Sequence, residues 1–269
     1  MHLSQDQVRR YREKGCLLLD QLFDAHEVQG LLDTFRRDSK ILGEHRIAER
    51  DRDEVRAVYG SHQRQPEFSM LVRSPRLLGP VQQLLGDDVY VYQFKINAKP
   101  AFAGEGWSWH QDYAAWKIAD NLPAPRLINA AFFLDDINEF NGPIIFVPGS
   151  HRQGLVRETR RPGNAESAQH LDPEDIALTP TQMTALVDQY GMESPKGKAG
   201  SVVLFHPEIV HGSASNMSPF HRRLLIATYN DVRNEPRPLS LPRPEYLVGR
   251  DTEALEMVEV PLVRSPGGV

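Results

Sequence analysis

The spacing of apolar residues changes near Gly86. Ahead of it, Val28, Leu31, Leu32 and Phe35 recur at helical spacing, which predicts an amphipathic helix. Ser4 with Gln7 forms a capping-box signature before the polar run "VRRYREKG", and Gly15 is its expected stop. Asp24 with Glu27 repeats that signature, and Ser74-Pro75 opens a helix running through Leu85 to Gly86. Beyond Gly86 the period becomes two. Val89–Lys99 ("VYVYQFKINAK") alternates and is rich in β-branched and aromatic residues, which predicts a strand. Leu127–Asp135, Ile144–Gly149, Ser201–His206 and Arg223–Asn230 read the same way, with Asn141-Gly142-Pro143 as a turn between two of them. One late helix is expected from Thr179-Pro180 to Gly191. Helices in front and strands behind predict an α+β, mainly β protein with a sandwich or barrel core.

No repeat, low-complexity tract or long linker interrupts this pattern. A single domain over 1–269 is therefore expected, with 1–86 as mainly helical support, 87–235 as the β core and 236–269 as a C-terminal extension. Residues 151–178 are polar and aperiodic; within a compact domain such a stretch is a lid or a disordered loop. If it is a lid, Leu171, among the few apolar residues of its second half, is a candidate for reaching into a pocket.

Composition narrows the partners. The net charge of −5 gives no electrostatic reason to expect nucleic acid or an anionic membrane. The single cysteine, Cys16, excludes an internal disulfide and fits a reducing, cytoplasmic setting. No apolar run approaches the roughly 20 residues of a membrane span. The expected partner is a small molecule, with the chain a monomer or homodimer.

All three tryptophans fall in "WSWHQDYAAW" (107–116), around His110 and Asp112. On a strand, residues two apart share a face, so an imidazole and a carboxylate would point together. That is two-thirds of the facial triad that holds non-haem Fe(II) while leaving positions open for a co-substrate and O2. Of the remaining histidines, His206 and His211 are the best third ligands. If the co-substrate is 2-oxoglutarate, its distal carboxylate needs a permanently charged, bidentate cation, hence an arginine. Arg222 can stand beside His211 if the chain returns as a neighbouring strand, with Arg223 as its rival. His211 is therefore the preferred ligand, Ser213 adds a hydroxyl donor, and His206 is expected to be structural. In "YQFKIN", Gln93, Lys95 and Asn97 share one face; a solvent-facing strand and a carboxylate-binding pocket both fit that pattern.

His110-x-Asp112, His211 and Arg222, with "NGPIIFVPGSHRQG" between them, resemble the phytanoyl-CoA dioxygenase family of Fe(II)/2-oxoglutarate oxygenases. Trp109-His110-x-Asp112 with Trp116 resembles its ectoine hydroxylase branch, while "WSWHQDY", "DVYVYQFKINAK" and "LFHPEIVHGSASNMSPF" are similar to bacterial hydroxylases of free amino acids, proline 4-hydroxylases and above all L-leucine 5-hydroxylases of antibiotic pathways. The resemblance implies a double-stranded β-helix (jelly roll, cupin-like) with buttressing N-terminal helices. It implies His110, Asp112 and His211 as metal ligands and catalytic centre, and Gln93, Asn97, Ser213 and Arg222 as 2-oxoglutarate contacts. Lys95 and Trp116 match substrate-touching positions, and Arg56 in "VRAVYGSH" is a candidate for the substrate carboxylate. Trp107 and Trp109, alternating with the ligands, are expected to face away and pack the sheet. Related halogenases carry a small residue where Asp112 stands, so Asp112 implies hydroxylation. The implied reaction is hydroxylation of an unactivated C–H of a free aliphatic amino acid, L-leucine first. Proline or pipecolate, ectoine and acyl-CoA substrates are the alternatives, and a catalytically silent jelly-roll binding protein is the alternative of another class.

Overall fold

The computed structural model describes residues 1–49, 53–156, 173–239, 241–259 and 261–262. Leu171 and most of the 151–178 segment lie outside these, as does the end of the C-terminal extension. The described elements form two facing antiparallel sheets. The larger runs, edge to edge, β1 (Cys16–Leu19), β8 (Val202–Phe205), β6 (Leu127–Phe133), β10 (Arg222–Asp231), β4 (Val89–Lys99), β3 (Val55–Tyr59), β2 (Arg46–Ala48). The smaller is β5 (Trp107–His110), β9 (His211–Ser213), β7 (Ile144–Phe146). This is the jelly roll expected, an α+β protein dominated by β structure.

The expected helices form where their caps direct. α1 (Gln5–Lys14) starts at Ser4, whose Oγ accepts from Gln7 N at 3.2 Å while Gln7 Oε1 accepts from Ser4 N at 2.8 Å. α2 (Ala25–Asp38) repeats the box with Asp24 and Glu27. Each such cap is worth about 1 kcal/mol. Two short helices, α3 (Ser61–Arg64) and α4 (Pro66–Arg73), precede α5 (Pro75–Leu85). Leu31 and Phe35 of α2, Phe68 and Leu71 of α4 and Leu78 of α5 are buried in one core with Phe94, Ile96, Phe132, Leu225 and Ala227 of the larger sheet. That packing commits one face of the sheet to the helices and leaves the alternate residues for the interior between the sheets.

The first 86 residues are mainly helical, as expected, but they also contain β1, β2 and β3, which supply both edges of the larger sheet. β1 is the four-residue apolar run "CLLL", buried almost throughout, and so short a run carries no period that separates strand from helix. The strand through the tryptophan cluster ends at His110, and Asp112 is the first residue of α6 (Asp112–Asp120). α7 (Pro173–Ile176) and α8 (Pro180–Tyr190) complete the described helices. In the C-terminal extension, Arg243 pairs with Asp120 at the far end of α6, and Leu247 O accepts from Gln93 Nε2 at 3.0 Å.

Candidate active site

β10 and β4 pair so that Arg222, Leu224, Ile226 and Thr228 stand opposite Lys99, Asn97, Lys95 and Gln93. Alternation places these eight side chains on the inner face, a polar row beside a mixed one. The smaller sheet brings His110 opposite His211. Between these walls lies a cavity lined by Lys95, Asn97, His110, Asp112, His211, Ser213 and Arg222, with Ile144, Leu224 and Ile226 as aliphatic wall residues.

His110, Asp112 and His211 each offer a ligand atom, all within 4.8 Å of one another. The Asp112 carboxylate lies 3.6 Å from His110 Nε2 and 3.7 Å from His211 Nε2. Each imidazole is turned by the same local device: Nδ1 of His110 donates to Ser108 O at 2.7 Å, and Nδ1 of His211 to Ile209 O at 3.0 Å. With the proton held at Nδ1, the Nε2 lone pair is left for a metal. Burial pushes the His211 imidazole down to about 4, with His110 beside it adding to the effect, so it is neutral at physiological pH. Burial alone would raise the Asp112 carboxyl, but Lys95 and the two imidazoles outweigh it and hold it well below the usual carboxylate range. Asn129 Nδ2 donates to Asp112 Oδ2 at 3.0 Å, and Thr228 Oγ1 donates to Asn129 Oδ1 at 2.7 Å, which fixes the carboxylate from behind. Two imidazoles that turn Nε2 toward the same point, with one oriented carboxylate, are a donor set that fits Fe(II).

The structure separates the two arginines. Arg223 forms a bidentate pair with Asp135 at 2.8 and 2.5 Å and is turned away from the cavity. Arg222 is 2% exposed, and its Nε donates to Gly142 O at 3.0 Å. Its terminal nitrogens have no acceptor among the described residues. Burial lowers its pKa to about 9, with Asp135 partly opposing, so the guanidinium lacks the carboxylate that a buried cation needs. Beside it, Asn97 reaches the cavity with its Oδ1 unpartnered.

Lys99 was not singled out by sequence reasoning, though it continues the period-two row Gln93, Lys95, Asn97. It is 2% exposed, and its ammonium donates to Ser213 Oγ at 2.8 Å and to the Ala214 carbonyl. Burial, then repulsion from Arg222 and Arg56, pushes it down to about 6. Asn129 and Thr228 were also not anticipated; nothing in a lone Asn or Thr on a strand marks it as a brace.

Other candidates sit elsewhere. Gln93 shares the inner face, but its amide is bonded to Leu247 O and it does not line the cavity. Trp116 is 3% exposed in an aromatic cluster, edge-on to Tyr92 at 5.2 Å, and does not line the cavity either. Arg56 lies at the rim, 2.7 Å from Glu105 and 3.4 Å from Glu49, with its guanidinium 4.7 Å from the Trp107 ring centroid. Trp109 packs with Val147, Leu178 and Val210, as expected. Trp107 instead lines the cavity. The register slips between Trp107↔Ser213 and His110↔His211, so β5 carries one extra residue there and Trp107 falls on the same side as His110. His206 stays outside the triad, its Nδ1 accepting from Glu208 N and its ring tilted against that of His151.

A jelly roll whose two sheets enclose a His-x-Asp…His cluster and a buried arginine defines a 2-oxoglutarate oxygenase type of site. The chain belongs to the phytanoyl-CoA dioxygenase (PhyH) family, whose model matches residues 11–224. It is an Fe(II)- and 2-oxoglutarate-dependent dioxygenase that uses O2. It is 38% identical to an ectoine dioxygenase of Bordetella bronchiseptica, over 96% of this chain and 88% of the relative. It is also 38% identical to an L-proline trans-4-hydroxylase of Streptomyces griseoviridis, over 93% and 94%. Among solved structures, EctD from S. alaskensis with 2-oxoglutarate and 5-hydroxyectoine superposes with a TM-score of 0.84 at 27% identity, covering 97% of this chain and 89% of that one. The same protein with bound Fe gives 0.83 at 28%, with the same coverage. Among the described residues no helix is long and apolar enough to cross a membrane.

Proposed function

We propose that the protein hydroxylates an unactivated C–H of a small zwitterionic substrate, a free aliphatic amino acid, with carbon 5 of L-leucine as the preferred target. The observation that carries this reading is Lys95: a cation lining the cavity, 3.9 Å from Asp112, beside Ile226 on the neighbouring strand, with Leu224 and Ile144 also in the wall. An ammonium set among aliphatic side chains suits a molecule with a carboxylate and an alkyl side chain. Arg56, already engaged by Glu105 and Glu49, is the secondary candidate for that carboxylate and would have to exchange partners.

In this reading His110, Asp112 and His211 would hold Fe(II), and the bound metal would supply oxygen activation, with two electrons drawn from 2-oxoglutarate as it is converted to succinate and CO2. The protein's part is placement. Arg222 receives the distal carboxylate of 2-oxoglutarate through its unpaired guanidinium nitrogens, with Ser213 and Asn97 as neutral donors. Gln93 is an additional contact if its bond to Leu247 is exchanged. Trp116 shapes the substrate end from the buried cluster behind it rather than from the cavity wall. The Ile144, Leu224, Ile226 and Trp107 side chains in the cavity wall help to keep water from competing for the oxidant.

Anaerobic loading with Fe(II) and 2-oxoglutarate, followed by oxygen and each common amino acid in turn, tests the reading. Succinate formed in step with a hydroxylated amino acid supports it; succinate uncoupled from every amino acid would send the search to other substrates. Hydroxyproline as the main product would favour the second reading, which the L-proline trans-4-hydroxylase relative supports by matching 94% of its length. Ectoine, acted on by the other relatives, belongs in the same panel. Products used in antibiotic assembly fit the first reading.

A further inference from the structure

The cavity is walled mainly by saturated, charged and neutral polar groups: aliphatic Ile144, Leu224 and Ile226, the cations Lys95 and Arg222, and amide and hydroxyl side chains. Trp107 is the exception. Apart from the two candidate ligands, it is the sole ring among the described lining residues, and indole is the most electron-rich side chain there. Its presence is a consequence of chain geometry, because the extra residue in β5 turns Trp107 toward the side that His110 occupies. Trp109 and Trp116 are kept away, one packed with Val147 and Val210 and the other among Tyr90, Tyr92 and Tyr113. The Arg56 guanidinium lies over the Trp107 ring, held there by Glu105, so one face of the indole is covered by a cation.

We propose that Trp107 is an internal oxygen acceptor: when 2-oxoglutarate is consumed with no amino acid in the cavity, the Trp107 indole is hydroxylated. The inference rests on the Fe(II)/2-oxoglutarate reading of the site. The balance closes with that chemistry alone. One atom of O2 enters the new carboxylate of succinate as the C1 carboxylate departs as CO2, and 2-oxoglutarate gives up two electrons. The other atom inserts into an indole C–H, forming C–OH with the hydrogen retained on the new hydroxyl, and the carbon gives up the remaining two electrons. Oxygen is then captured by a ring that is not a metal ligand, which spares His110 and His211. The guanidinium over the ring draws electron density from it, so Arg56 slows the capture.

The test is aerobic incubation of the whole protein with Fe(II), 2-oxoglutarate, catalase and isotopically heavy O2, without any amino acid. Tandem mass spectrometry then places any added oxygen among Trp107, Trp109 and Trp116. The expected result is a gain of one heavy oxygen atom on Trp107, none on Trp109 or Trp116, and no gain in His211→Ala. Arg56→Gln should raise the modified fraction at equal succinate, and Trp107→Phe should leave both other tryptophans unmodified. Succinate formation without a gain at Trp107 would overturn the proposal while leaving the oxygenase reading intact, as would an equal gain at the exposed Met217. Absence of succinate without an amino acid would overturn the proposal, because no oxygen is then consumed for Trp107 to capture, while the oxygenase reading stands or falls on the amino acid panel.

Discussion

His110 and His211 face each other as register partners on β5 and β9, with ring centroids 4.3 Å apart and each Nδ1 bonded to the carbonyl two residues earlier. The two strands thus repeat one conformation, and it delivers two Nε2 atoms to the same point. Asp112 reaches that point differently. The chain leaves β5 after His110 and enters α6 at Asp112, so the carboxylate is placed by a helix start and braced by Asn129 on the larger sheet.

That brace gives a prediction about metal affinity. Asn129→Ala removes the donor to Asp112 Oδ2 and leaves Thr228 Oγ1 without its acceptor. Groups that orient metal ligands typically contribute about 10–100-fold to affinity, so Fe(II) binding should weaken by roughly that factor. Anaerobic titration, followed by the visible band of the Fe(II)–2-oxoglutarate complex, measures it. His110→Ala or Asp112→Ala should abolish the band, and an unchanged Fe(II) affinity in Asn129→Ala would show that Asp112 needs no support.

The adjacent arginines should separate in their effects. Arg222→Ala removes the buried cation with free donors, and 2-oxoglutarate should lose at least about 2 kcal/mol of binding, roughly 30-fold. Arg223→Ala breaks the pair with Asp135 and should lower the melting temperature while leaving 2-oxoglutarate affinity nearly unchanged. Isothermal titration and thermal denaturation of both variants give the comparison. Equal losses of affinity would contradict the division of roles.

Much of this site was legible because alternation on a strand is a strict geometric rule. Gln93, Lys95 and Asn97 read as one face, and the same rule extended by one step would have included Lys99. The choice of Arg222 over Arg223 depended on where β10 begins, a boundary that periodicity leaves uncertain by a residue or more. His-x-Asp was found by spacing, although the assumed common strand was wrong: a strand end and a helix start put the two side chains together as well as a pleat would. Trp107 was misplaced for a related reason. An extra residue in β5 reverses the parity of everything before it, and no composition signal marks a bulge whose residues are not glycine. β1 escaped detection because its four apolar residues are buried almost throughout, which erases alternation.

Acid stability should depend on the His151–His206 pair, whose rings lie 5.0 Å apart beside Gly15. Burial, then the neighbouring His151, pushes His206 down to about 3 from 6.5. The folded state therefore holds fewer protons than the unfolded chain between those values, and stability falls as pH drops through that window. His206→Gln cannot titrate, so the wild type should lose more denaturant resistance than the variant between about pH 7 and about pH 4. Parallel losses in both proteins would assign the acid sensitivity to other groups.

Lys99 makes the corresponding prediction at the alkaline side, and here it is linked to co-substrate binding. Its folded pKa is pushed down to about 6 from 10.5, first by burial and then by Arg222 and Arg56. Between those values the unfolded chain binds the extra proton, so the stability of the ligand-free protein rises with pH across the window and levels off below about 6. A dianionic co-substrate seated on Arg222 reverses the local preference, because a carboxylate near the ammonium favours its charged form. Binding of 2-oxoglutarate at about pH 8 should therefore take up a proton, approaching one per site. Calorimetric titrations in buffers of different ionisation enthalpy give that number as a slope. Lys99→Met should abolish the slope and weaken binding, whereas a slope of zero in the wild type would mean that Lys99 holds its proton before 2-oxoglutarate arrives.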